Sequence, residues 1–402
     1  MNLNPNLISP TPELSNSELQ KLPRISFVIN SLGGGGAEKV FITVVDYLRK
    51  FAQIQVILFK SEGIYLEKLQ AMQGITCIEL SKQKGHLSMV FQLKAIWKSY
   101  QPERVVSFME YPNILVSLSL LGSSIKHISS ERMDYRLGLG HGTMDKLKKV
   151  LLPLVFKRAW RIVPVSESLG QRLIHDFKAE PQKIFSIPNG INLSELTKLS
   201  QVDLPEDIPF VPDKYTFISA GRFHPAKNQE LIIRAFARIN NQYPNTRLIL
   251  LGTGELESEL KRLALILGIE KLVYFPGFDN NVQRWISRAG TFVLSSNYEG
   301  MPNALLEAFF VNGHCVSTDC PTGPSEIISS GYDGILVPPG DIDALTQAMT
   351  KMCIDDTFRT QVYQHSRIKA TQFDLCHVLK TWKSVILNNN FQPTSLQPIG
   401  DS

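Results

Sequence analysis

The stretch "SSNYEGMPNALLEAFF", residues 295–310, sets two carboxylates eight positions apart, Glu299 and Glu307, around a glycine, a proline and an asparagine. It follows the short apolar run "TFVLS", and Glu307 falls inside an otherwise apolar helical segment. An ionised Glu is costly to bury without a partner. Either this helix carries an internal salt bridge or its start faces a polar ligand. Pro302 suits the first helical position, so the pattern predicts a helix from about 302–303 that ends before Gly313. Glu299 then lies on the loop at the positive end of the helix, and Glu307 lies about one and a half turns inside it. Gly300 and Met301 lead into the turn, and Gly300 permits a close approach. The N–H groups of Asn303, Ala304 and Leu305 become free donors for a phosphate. Glu307 fits a bidentate acceptor for a diol such as a ribose.

Two further strand-to-helix turns have the composition of anion sites. In "SAGRFHPAKNQELIIRAF", Arg222 and Lys227 stand on a loop just before an amphipathic helix, a planar fork and a point charge suited to a diphosphate. Surface decoration is the alternative for both. His224 is held in a turn by the proline after it, with no carboxylate in evidence to orient it, and reads as incidental. In "INSLGGGGAEKV", four glycines, Gly33 to Gly36, precede a helix whose backbone N–H groups could reach an anion closely. A flexible surface turn is the alternative for that loop taken alone. The P-loop pattern fails here, because Lys39 is followed by Val and lies inside the helix.

The elements that must carry these turns repeat one rhythm. From Arg24, "ISFVIN", "IQVILF", "TCIEL", "RVVSFM", "HISS", "RIVPVS" and "KIFSIPN" read as strands separated by amphipathic helices, which predicts a parallel sheet covered on both faces. "QVDLPEDIPFVPDK" breaks the rhythm, and "YTFISAG", "RLILLG", "LVYFPG", "TFVLSS", "HCVSTD" and "GILVPP" resume it. The expected organisation is a loose tail over 1–23, an N-terminal domain over 24–200 and a C-terminal domain over 201–377. A helix over 378–390 that can cross back to the first domain and a loose tail over 391–402 complete it. The fold class is α/β, two doubly wound, Rossmann-like parallel-sheet domains with the carboxyl ends of their strands on opposite walls of a cleft.

Composition narrows the partners. Residues 1–200 hold 25 Lys and Arg against 16 Asp and Glu, whereas the remainder holds 17 against 21, so the basic character belongs to the first half. Much of it lies in "HGTMDKLKKVLLPLVFKRAWRIV", where Lys146, Lys148, Lys149, Lys157, Arg158 and Arg161 surround an apolar run. That pattern suits a helix at an anionic membrane surface and equally a solvated helix with a buried stripe. No basic and aromatic interleaving points to nucleic acid. Five cysteines without a close pair argue against disulfides and zinc, and Cys315 and Cys320 read as reduced structural thiols. No apolar run is long enough to span a membrane and no export signal opens the chain, so a cytoplasmic protein is expected.

The glutamate pair after a strand, together with the upstream G-R-x-x-x-x-K-N loop, resembles the family 4 retaining glycosyltransferases of the GT-B fold. "GGGGAEKV", "PVSESLG", "IPNGIN" and "PTGPSEIISSGYDGILVPPGD" are similar to that family's segments, in the expected order, over roughly residues 24 to 390. The resemblance implies that Arg222 and Lys227 hold the donor diphosphate, Glu307 the ribose hydroxyls and Glu299 the hydroxyls of the transferred sugar. Catalysis would rest on Glu299, Arg222 and Lys227. The resemblance also makes 24–200 the acceptor-side domain and 201–377 the nucleotide-sugar-binding domain; Gly34, Gly35 and Gly36 would close on the diphosphate from the former, and Gly300, Met301, Pro302, Asn303, Ala304 and Leu305 would line the donor. In "SSERMDYR", Glu131 and Arg132 stand where some relatives present a His, and they are the acceptor-side candidates. Met133 departs from the "ERN" of other members, Asn192 stands where Asp is usual, and His127 reads as a half-buried structural histidine.

The resemblance further implies a UDP-sugar donor carrying an N-acetylhexosamine or hexose, retention at the anomeric carbon, and no metal or other cofactor. The implied acceptor is a lipid-linked saccharide or growing glycan at the cytoplasmic membrane face. Two rivals stand beside this: a UDP-sugar epimerase on the same fold, and a non-catalytic donor-binding scaffold.

Overall fold

A computed structural model describes residues 21–80, 85–135 and 142–392. Of the tail expected over 1–23, residues 1–20 lie outside them, as do Arg136 and the chain after Gln392, whereas the Pro23 carbonyl is tied down by Gln53 N. Among the described residues, twelve strands form two six-stranded sheets. The first holds β1 (Arg24–Ile29), β2 (Gln53–Leu58), β3 (Ile75–Glu79), β4 (Arg104–Phe108), β5 (Lys126–Glu131) and β6 (Arg161–Pro164) in the order β3-β2-β1-β4-β5-β6. The second holds β7 (Thr216–Ala220), β8 (Arg247–Leu251), β9 (Val273–Gly277), β10 (Thr291–Leu294), β11 (Cys315–Thr318) and β12 (Ile335–Val337) in the order β12-β11-β10-β7-β8-β9.

Every pairing is parallel. The central strands are buried on both faces, β1 and β2 from their second residue and β4 and β7 throughout. Burial of that kind is why they read as near-continuous apolar runs. The strand order reverses between β1 and β4 in one sheet and between β7 and β10 in the other, and at such points the following loops diverge and leave a crevice. Three of these four strands lead into the turns singled out above.

"KIFSIPN" does not form the strand expected of it. It lies extended beside β6, with Phe185 N donating to Ile162 O and Ile187 N to Pro164 O, and it makes a single β-bridge, Ile162 to Ile184. Pro164 and Pro188 have no N–H to donate, so a full ladder cannot form there.

Helices cover both faces of each sheet. Gly36–Leu48 buries Phe41, Val44, Val45 and Leu48, and the Phe41 ring meets Phe27 and Phe108 edge-on at 5.9 and 5.2 Å. The last described helix, Leu375–Leu387, packs into the same first-domain core through Val378, Trp382, Val385 and Ile386, with Trp382 stacked on Phe108 at 5.7 Å. Its carboxyl end is held by β6: the Arg161 guanidinium donates to the carbonyls of Val385 (2.5 Å), Asn388 (2.9 Å) and Phe391 (2.9 Å). A cation at those carbonyls is favoured by the helix dipole. Phe391, placed by the sequence in a loose tail, is tied down here and lies 5.9 Å from the Phe185 ring.

Candidate active site

A cavity of about 710 Å³ opens between the two sheets, at the carboxyl ends of β1, β7, β8 and β10. Gly34, Gly35, Gly36, Lys39 and Tyr65 line it from the first domain, and Arg222, His224, Lys227, Glu299, Met301, Asn303, Ala304 and Glu307 from the second. The turns chosen from sequence therefore converge on one space. Gly300, Pro302 and Leu305 do not line it. Leu305 is a core residue, and Gly300 is where the domains touch, since a Cβ there would fall 2.1 Å from the Arg132 carbonyl oxygen.

The helix after β10 spans Asn303–Val311, with Pro302 extended at its cap position and no side-chain cap. Leu306 N donates to Pro302 O at 3.0 Å, which leaves the amides of Asn303, Ala304 and Leu305 without intrahelical partners. Gly36 faces this helix start so closely that a Cβ would come 2.6 Å from Asn303 Nδ2. Asn189, from the segment leading out of the first domain, donates to Met301 O at 3.2 Å and Asn303 Oδ1 at 2.7 Å.

Both carboxylates are paired. Glu299 Oε1 accepts from Lys227 Nζ at 2.5 Å and Ser296 Oγ at 2.6 Å. Glu307, 7% exposed, accepts from Lys39 Nζ at 2.7 Å through Oε1 and from Gln283 Nε2 at 2.6 Å through Oε2. Desolvation alone would lower the Lys39 ammonium, but the charge and hydrogen bond of Glu307 outweigh it and the pKa is raised. Arg222 is exposed and, among the described residues, has no side-chain ion-pair partner. His224 accepts from Ala226 N at 3.1 Å, and a carboxylate does lie near it, Glu255 at 3.9 Å, which the sequence did not reveal because the two sit on different loops.

Glu131 and Arg132, the acceptor-side candidates, line neither this cavity nor the neighbouring one in the first domain. Glu131 is fully buried, with Oε1 accepting from Ser129 Oγ and from Asn113 Nδ2, and burial pushes its carboxyl up to about 8. Arg132 lies over the rings of Phe108 and Trp382 at 5.4 and 5.1 Å. β5 is an interior strand, so both side chains lie in the first-domain interior, Arg132 beside Trp382 and Glu131 against Asn113. His127 is fully rather than half buried and contacts Ser107 Oγ at 2.7 Å and Ser117 Oγ at 3.2 Å; desolvation lowers its pKa to about 3.

The neighbouring cavity, about 480 Å³, is lined by Glu38, Lys60, His86, Glu110, Tyr111 and Lys148. It opens after β4, the fourth reversal strand, where Met109 holds φ 74° and ψ 161°, a conformation normally reserved for glycine. Nothing in "SFMEYP" announces it. The flanking helix Thr143–Arg158 buries Leu152, Val155 and Phe156 in the first-domain core and also exposes Leu147, Val150 and Leu154.

Residues 34–195 match the Glycosyltransferase Family 4 family and residues 201–369 the Glycosyl transferases group 1 family. Among curated relatives, the N-acetylgalactosamine-N,N'-diacetylbacillosaminyl-diphospho-undecaprenol 4-alpha-N-acetylgalactosaminyltransferase of Campylobacter jejuni is 26% identical over 88% of this chain and 96% of its own. The UDP-Gal:alpha-D-GlcNAc-diphosphoundecaprenol alpha-1,3-galactosyltransferase of Escherichia coli is 29% identical over 45% of this chain and 48% of its own. Among solved structures, Anabaena HepE in complex with UDP and glucose superposes with a TM-score of 0.75 at 18% identity, over 90% of this chain and 98% of that one. With both halves matched and both sheets superposed, the chain belongs to the family 4 glycosyltransferases and has their GT-B fold.

Proposed function

We propose that the protein transfers an N-acetylhexosamine or hexose from a UDP-sugar to a lipid-diphosphate-linked saccharide or growing glycan, with retention at the anomeric carbon and without a metal. The observation that carries this reading is the convergence of Arg222, Lys227, an uncapped helix start and two carboxylates on one cavity. In it, Glu307 accepts the ribose hydroxyls and Glu299 the hydroxyls of the transferred sugar. The bond broken joins the anomeric carbon to the β-phosphate oxygen, and the bond formed joins that carbon to an acceptor hydroxyl on the same face. The departing phosphate takes the hydroxyl proton. Arg222, Lys227 and the Asn303–Leu305 amides offset the charge growing on the diphosphate, the work a divalent ion would otherwise do.

The acceptor class draws support from the Campylobacter and Escherichia relatives, whose names specify undecaprenol-linked diphosphate substrates. The Anabaena complex with UDP supports the nucleotide. Among the described residues no helix is long and apolar enough to cross a membrane. Peripheral contact with an anionic leaflet draws support from the Thr143–Arg158 helix, where exposed Leu147, Val150 and Leu154 accompany exposed Lys146 and Lys157.

The test is UDP release from a panel of UDP-sugars, with and without a membrane lipid extract. Release from one sugar, raised by lipid and reduced about 100-fold in Glu307→Ala, is the expected result. Protein that binds UDP yet turns over none of the panel would overturn the proposed transfer.

A further inference from the structure

The charges in the donor cavity are sorted into pairs that a nucleotide-sugar cannot leave intact. Glu299 is engaged by Lys227 at 2.5 Å, and Glu307 by Lys39 at 2.7 Å. Of the three cations lining the cavity, Arg222 alone stands outside such a pair among the described residues. A diphosphate needs cations and a ribose needs a carboxylate, so a ligand carrying both must re-sort these partners.

Lys39 is the unexpected member. It sits in the first turn of the Gly36–Leu48 helix, beside the glycine loop, and its side chain spans the cleft to the second domain. Its side chain is 53% exposed, so packing does not lock the stem, although the ammonium itself is desolvated against Glu307. A lysine head on four rotatable bonds can turn from one anion to another nearby at little cost. Glu307, by contrast, is fixed within its helix and keeps Gln283 on its other oxygen. The mobile partner is the lysine.

We propose that Lys39 is a donor-binding residue supplied by the first domain, exchanging the Glu307 carboxylate for the diphosphate of the nucleotide-sugar as the ribose hydroxyls take its place. This rests on the UDP-sugar reading of the site. The exchange couples the two halves of the ligand. A ribose without phosphates must compete with the ammonium for Glu307, whereas a nucleoside diphosphate gives that ammonium a better anion. Lys39 thus acts as a discriminator for diphosphate-bearing ligands, and it ties the first domain to a ligand held mostly by the second.

The experiment compares uridine, followed by ligand-observed NMR, with UDP, followed by calorimetry, in the wild type, Lys39→Met and Lys39→Arg. Removing the ammonium frees Glu307 for uridine and removes a cation from UDP. The preference for UDP over uridine should therefore fall about tenfold or more in Lys39→Met and be largely restored in Lys39→Arg. An unchanged preference in Lys39→Met, with wild-type UDP binding intact, would reduce Lys39 to a strut between domains and leave the donor reading standing. Wild-type protein that binds no UDP would overturn that reading and this inference with it. Circular dichroism of both variants guards against misfolding.

Discussion

The acidic groups of this protein differ in what their surroundings do to them. Glu299 and Glu307 accept from lysines, whereas Glu131 accepts only from a neutral hydroxyl and amide in a dry interior, where burial outweighs the neighbouring charge of Arg132 and favours its protonated form. The sign of the consequence is fixed. A carboxyl at 4.5 when exposed and about 8 when buried leaves the fold unpenalised below about pH 4.5, and stability is lost as pH rises from there through about 8. Glu131→Gln cannot ionise, so its stability relative to wild type should rise between pH 5 and 8.5. Urea denaturation across that range measures it, and a flat difference would refute the buried neutral acid. His127 works the other way, losing stability as pH falls from its ordinary value through about 3, but it is present in both proteins and cancels. Of this, only the structural role of His127 was legible in "HISSERMDYR". A polar strand buried by its own hydrogen bonds has the same letters as a polar strand on the surface. The pairing of Lys39 with Glu307 was equally silent, the two being 268 positions apart, and only the cost of burying Glu307 hinted at a partner.

At the scale of elements, the sequence is most readable where burial is uniform. Strands of both sheets appear as apolar runs because helices cover both faces, and the reversal turns stand out because glycine and charge interrupt those runs. The strained turn at Met109 escaped because its residue types are ordinary, and "KIFSIPN" misled because pattern cannot count missing N–H donors. The Leu375–Leu387 helix completes the first-domain core. Trp382 is wholly buried against Phe108 and Arg132. Trp382→Ala should destabilise the first domain by about 3–5 kcal/mol. Chemical denaturation followed by fluorescence and by hydrogen exchange of β1 and β4 checks this, and full protection of those strands in the variant would contradict the assignment.

The two domains are also joined away from the cavity. Glu326, at the start of the short helix Pro324–Ile327, accepts from Glu167 N and Ser168 N at 2.9 Å each and from Ser168 Oγ at 2.6 Å. A carboxylate of one domain thereby caps the Glu167–Phe177 helix of the other, joining the segments "PTGPSEI" and "PVSESLG" across 159 positions of sequence. Glu326→Ala should shift the population towards an open arrangement, raising KM for the donor by about tenfold and enlarging the radius of gyration in X-ray scattering. Identical scattering profiles would show that the cap does not govern closure. The returning helix has a different consequence, one of timing. On the ribosome, β1 to β6 emerge long before the helix that completes their core, so the first sheet must wait with the Phe108 side of its core uncovered while the entire second domain is made. A fragment ending near residue 200 would remain in that unfinished condition, sticky where Trp382 should lie, so synthesis order and the finished architecture run in opposite directions in this chain.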